Sequence, residues 1–196
     1  MRLPRIAPAV AAVAGLCLLL ALLLGLTPVL TALTAHAGWT LVPSALGVPL
    51  GLPPLRAVPL GSTGWAQLLC EDFAVVVLVT VAALRMRRHV RLRPAAGRVR
   101  RALAGWTALL AAGAASGLWR GVVTARMADA GLLGWLAYGV VGVVFGAAWG
   151  LTLGWLPGVA AAALTSRRRP ASSPDPRGPG LRARTAPDRP RSSPRP

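Results

Sequence analysis

The chain has 196 residues, 55% of them hydrophobic and only 14% charged, where a soluble domain carries about 25% charged residues. Its 22 basic residues are all arginine and face 5 acidic ones, for a net charge of +17. In a soluble protein that balance points to nucleic acid; here the charge lies beside long apolar runs, where topology and anionic headgroups account for it, and nucleic acid is disfavoured. The use of arginine for every basic residue, with much Ala, Gly, Pro and Val, suggests a GC-rich, bacterial coding sequence.

Four apolar runs are each long enough for a spanning helix, which needs about 20 residues. They predict spans at about 8–34, 65–84, 102–119 and 131–156. In the first, Pro28 is expected to kink or end the helix. In the fourth, Pro157-Gly158 is expected to break it before a short apolar exit to Leu164. The fold class is therefore all-α: a four-transmembrane-helix bundle in one domain, residues 1–164, followed by a tail.

Arginine sorts to alternate sides of these spans. Arg2 and Arg5 precede span one. Residues 85–101 form a basic loop with Arg85, Arg87, Arg88, Arg91, Arg93, Arg98, Arg100 and Arg101. More arginines follow span four. The opposite loops hold only Arg56, Arg120 and Arg126. Basic segments stay in the cytoplasm, so both termini are expected inside the cell membrane. Trp39, Trp65, Trp119 and Trp135 then fall at the four outer ends, as an aromatic belt. Ala35-His36-Ala37 before Gly38 matches a signal-peptide cleavage pattern, but the run is longer than a secretory core, so an uncleaved helix is favoured.

The outer loop, residues 38–64, is apolar and rich in proline, which forbids a long helix. It is read as a packed surface loop rather than a cover over the bundle mouth. The tail, 165–196, is rich in Pro, Arg and Ser and is expected to be disordered. Cys17 and Cys70 form no C-x-x-C pair and lie at different depths; they are read as small buried hydrophobes.

Two patterns carry the candidate sites. Gly142, Gly146, Gly150, Gly154 and Gly158 recur at four-residue steps in span four, and Gly113, Gly117 and Gly121 do so in span three. In lipid, small residues let backbones approach and gain van der Waals contact, with right-handed crossings near −40°. An intrachain hairpin of spans three and four is favoured over self-association or docking on a partner subunit, though both can hold.

The second pattern is Glu71-Asp72, the only acids within a span. Intramembrane acids are functional candidates by default. Adjacent helical residues point about 100° apart, so one is expected to face the bundle and the other to reach for water. Arg120, Arg126 and His36 are the candidate partners. A structural ion pair with Arg120 is favoured over an outward cation or proton site with His36 and Asp129. His89 is read as part of the solvated basic face.

No catalytic, cofactor or metal motif is present. Three classes of function remain, in this order. The first is a non-catalytic interaction, assembly or accessory protein, which binds anionic headgroups through its basic loop and a membrane protein or its own copy through its helices. The second is a small transporter or channel using Glu71 and Asp72. The third is a membrane enzyme.

Overall fold

The computed structural model describes residues 8–36, 52–58 and 64–164. The predicted tail, the Ala37-Gly38 junction, Trp39 and the rest of the outer loop lie outside these residues. Among the described residues six helices follow in chain order: α1 Pro8–Gly25, α2 Thr27–His36, α3 Trp65–Leu92, α4 Arg98–Met127, α5 Leu132–Leu153 and α6 Trp155–Ala163. No strand occurs among the described residues. Helices α1, α3, α4 and α5 are long and apolar enough to cross a membrane. The molecule is thus an all-helical chain with four membrane-spanning candidates.

Helix α4 is the axis of the assembly. It packs against α3, α5 and α6, while α1 packs on α3 and α6. Its buried residues fall on two adjacent four-residue ridges. One is Gly105, Leu109, Gly113, Gly117, Gly121 and Ala125; the other is Ala108, Ala112, Ser116 and Arg120. The first ridge meets α5. A Cβ added to Gly113 would collide with the carbonyl oxygen of Gly146, and one added to Gly146 with that of Gly113. Gly117 and Gly142 oppose each other in the same reciprocal way, and Gly121 meets the carbonyl of Tyr138. Each step of four along α4 therefore meets a step of four back along α5. Since the missing Cβ of each glycine points at its partner's oxygen, a Cα–H does so too; such contacts contribute about 0.5–1 kcal/mol each. Further along, Gly150 would place a Cβ 2.6 Å from Leu110 Cα, and Gly158 one 2.7 Å from Ala102 O.

Both helices break about one turn upstream of the proline, where its ring conflicts with the carbonyl four residues back. The first span stops at Gly25 rather than Pro28, and the fourth stops at Leu153 rather than Pro157. Pro28 and Pro157 instead sit in the first turn of α2 and α6. Proline is tolerated there because the N–H it lacks has no intrahelical acceptor. The break passes upstream to Gly25 and Gly154.

The basic segment 85–101 is also corrected. Residues 85–92 continue α3 and 98–101 begin α4, leaving only 93–97 as connector. Arginine is a good helix former, so the helices run on past the apolar stretch. At 28 and 30 residues, α3 and α4 are about 42 and 45 Å long, against about 30 Å of hydrocarbon.

The turn from α4 to α5 ends α4 on a paired hydrogen-bond pattern. Ala130 N donates to Ala125 O at 3.0 Å and Ala128 N to Thr124 O at 2.9 Å. Asp129 supplies the left-handed residue between them, with φ 46°, a place where glycine is usual.

Two outcomes follow. Gly117→Leu should lower the stability of the detergent-extracted protein by about 3 kcal/mol or more, since backbone rather than a movable side chain fills the space, whereas Gly15→Leu, with nothing within 4 Å, should leave the thermal midpoint nearly unchanged; equal midpoints would refute the close-packed interface. Asp129→Gly should raise stability by about 0.5 kcal/mol by relieving the left-handed strain, and Asp129→Val should lower it, in the same thermal assay.

Candidate functional site

At the end of the bundle away from the arginine-rich hairpin, Glu71 and Asp72 occupy the second turn of α3. The 100° between them sends each to a different element. Glu71 faces α4: Arg120 Nε lies 3.2 Å from Oε1 and 2.9 Å from Oε2. The N–H is directed at Oε1, and Oε2 lies at ion-pair distance without a directed hydrogen bond. Arg120 is 7% exposed and Glu71 26%, so each charge depends on its partners for what water would otherwise supply.

Asp72 is half-buried. Its Oδ1 accepts the backbone N–H of Arg56 at 3.3 Å. Of the outer loop, the described residues 52–56 pack between helices, and residues 57 and 58 are exposed. Leu52 is 2% exposed and joins the core cluster that contains Cys17 and Leu78, and Pro53 is fully buried. The physical reason is in the backbone donors. Pro53 and Pro54 have none to satisfy. Leu55 N donates to Ala21 O of α1 at 3.0 Å, and Arg56 N is taken by Asp72. Gly25 lets the chain approach, since a Cβ there would collide with Leu55 O. Non-helical backbone is tolerated at membrane depth only when its polar groups are met within the protein, and the N–H groups of Leu55 and Arg56 meet that condition.

Arg56 is therefore a site residue that the reading of the sequence missed. The available signal was its isolation: it is the one charge in an otherwise apolar loop. Its side chain makes no ion pair among the described residues, and its Nε is shielded with no hydrogen-bond partner there. The ring of Trp119 lies beside this cluster, donating from Nε1 to Cys70 O at 3.0 Å and packing on Phe73 with centroids 4.6 Å apart. It is thus an interhelical clamp as well as a candidate belt residue.

The other candidates are not drawn in. The His36 ring nitrogen lies 2.9 Å from Ala32 O, one turn back on its own helix. Asp129 occupies the α4–α5 turn, and Arg126 is exposed. No group of three or more His, Cys, Asp or Glu side chains converges among the described residues. Cys17 and Cys70 are free thiols. The candidate hydroxyls of spans three and four bond their own helices: Thr107 to Leu103 O, Ser116 to Gly113 O and Thr152 to Trp149 O.

A second missed residue is Trp106. Its Nε1 donates to Leu151 O at 2.9 Å, a carbonyl in the last turn of α5, where helices leave acceptors unpaired. Gly154 makes room for the ring. At the arginine-rich end, Arg85, Arg87, Arg88, Arg91, Arg93, Arg98 and Arg100 are exposed and Arg101 is half-buried. There Arg101 donates to Pro94 O at 2.7 Å, fastening the connector. His89 is half-buried rather than solvated, and its Nε2 is shielded.

Comparisons with protein-family models, curated proteins and solved structures find no match for this chain.

The ion pair makes a direct prediction. Glu71→Gln leaves Arg120 buried without its carboxylate, a loss of about 3–5 kcal/mol, and the protein should fail to accumulate in the membrane. The exchanged pair Glu71→Arg with Arg120→Glu should restore accumulation, measured by quantitative blotting of membrane fractions. An exchange no better than the single variant would show that the pair does not hold α3 to α4.

Proposed function

We propose that this chain is a non-catalytic integral protein of the cell membrane, an interaction, assembly or accessory subunit, with both termini in the cytoplasm. Its working surface is the arginine-rich end of the α3–α4 hairpin. One contrast carries the reading. The polar groups inside the bundle are largely spent on one another, while seven arginines at the hairpin end stand exposed on rigid helix ends and their connector. Guanidinium groups so placed suit carboxylates and phosphates, which they grip in a forked geometry. Anionic headgroups supply a general attraction, about 1 kcal/mol per residue near the surface, and an acidic segment of a partner membrane protein supplies a specific one.

The facing glycines also bear on how a partner would dock. Gly113, Gly117 and Gly121 and their counterparts on α5 contact each other's backbones, so this reading places the partner on the hairpin end rather than on the glycine ridge. The self-bonded hydroxyls and the Glu71–Arg120 pair favour it over the transporter or channel, which needs uncommitted polar groups near the midplane.

The test is mass spectrometry of the protein extracted gently from its native membrane by a C-terminal tag. A stoichiometric membrane partner is expected. Its recovery should fall about tenfold when Arg87, Arg88, Arg91, Arg98 and Arg100 become lysine, a change that keeps the positive charge governing topology but removes the forked recognition. Recovery of self-complexes alone would overturn the reading and favour the transporter.

A further inference from the structure

We propose that the groove between the end of α1, the start of α2 and the buried segment 52–58 binds one anionic phospholipid, with an acyl chain along its leucines and the phosphate on Arg56. The groove has a volume of about 390 Å³, within the range of small-ligand sites. Its walls include Leu22, Leu23, Leu26, Leu55, Arg56 and Val58. Leu22, Leu23, Leu26 and Val58 are 44%, 41%, 50% and 64% exposed, so the groove opens outward rather than into the bundle. In a membrane-spanning helical protein, outward at this depth means lipid.

One cation interrupts that apolar wall, and among the described residues it has no ion-pair partner. Glu71 is held by Arg120. Asp72 takes the backbone N–H of Arg56, not its side chain. Arg56 Nε is shielded and has no acceptor among the described residues. A shielded, charged donor without an acceptor is costly, and phosphate oxygens match the guanidinium fork.

The depth agrees with the chemistry. Helix α1 has 18 residues, about 27 Å, close to the thickness of the hydrocarbon layer. Arg56, beside its end, stands where lipid phosphates begin. A soluble anion leaves the leucine wall unused, and an apolar molecule leaves Arg56 unpaired. An anionic amphiphile satisfies both. The site lies at the end opposite the exposed arginines and stands independently of any partner they bind.

The test uses the full-length protein in vesicles of phosphatidylglycerol and phosphatidylcholine, with a photoreactive acyl chain on one lipid or the other and the crosslinked peptides mapped by mass spectrometry. The phosphatidylglycerol probe should label peptides bearing residues 22–26 and 55–58 in preference to other lipid-facing helices. That labelling should fall about tenfold in Arg56→Gln, the effect of losing one charge-assisted hydrogen bond, and equally in Leu23→Trp, which fills the groove without altering charge. Leu23 is on an exposed wall, so that variant decides the matter alone if Arg56→Gln fails to accumulate. Even labelling of all lipid-facing helices, or labelling undiminished by Leu23→Trp, would overturn the site. Equal labelling by phosphatidylcholine would overturn the assignment to an anionic headgroup.

Discussion

In hydrocarbon, a peptide group without a partner costs several kcal/mol, and among the described residues three breaks in the helices have their backbone groups met within the chain. Where α1 stops, Ala21 O takes the Leu55 N–H and Asp72 takes the Arg56 N–H, while two prolines remove the neighbouring donors. Where α5 stops, the Trp106 indole donates to Leu151 O. Where α4 turns into α5, Ala125 O and Thr124 O receive the N–H groups of Ala130 and Ala128. The residues with the most unusual placement, Asp72, Trp106 and Asp129, all serve these breaks.

The same constraint explains the glycines. Apolar surface gains little from leaving lipid, so helices in lipid are held by close contact and by polar groups. The α4–α5 interface uses the first. Small residues let each backbone reach the other's carbonyls, which side chains would otherwise screen. The α3–α4 interface uses the second: Glu71 with Arg120, and Trp119 with Cys70 O. Helix α4 joins the two modes because its glycine ridge and the ridge ending in Arg120 lie side by side.

Much of this is legible in the sequence, and the limits are physical. Run length alone marks four spanning helices, since hydrocarbon thickness sets a minimum length. The four-residue glycine step includes the pairs Gly113–Gly146 and Gly117–Gly142 that oppose each other across α4 and α5, while Gly154 and Gly158 of the same step fall beyond the end of α5. The breaks fall about one turn before Pro28 and Pro157, because proline conflicts with the carbonyl four residues back while fitting the first turn of the helix that follows. The extension of α3 through Arg85, Arg87, Arg88 and Arg91 to Leu92 is missed when charge is equated with loop. Arg56 and the burial of Leu52 escape for a different reason. They depend on a gap between helices that no local pattern records, and on backbone N–H groups, which every sequence has.

Charge ties the two ends of the molecule together. Arginine at the hairpin end is crowded and exposed, with few acids in the chain to meet it. At the other end arginine is sparse, and Arg120 is matched with the single glutamate of the chain. Burying a charge is tolerable only with a partner, so pairing at that end follows from depth. At the hairpin end the guanidinium groups are exposed, and nothing in the fold requires seven of them to stand free there. Orientation alone needs only a basic excess. The surplus beyond orientation is what gives the hairpin end its claim as an interaction surface, and the same reasoning at the opposite end singles out Arg56, the shielded arginine whose Nε finds no acceptor among the described residues.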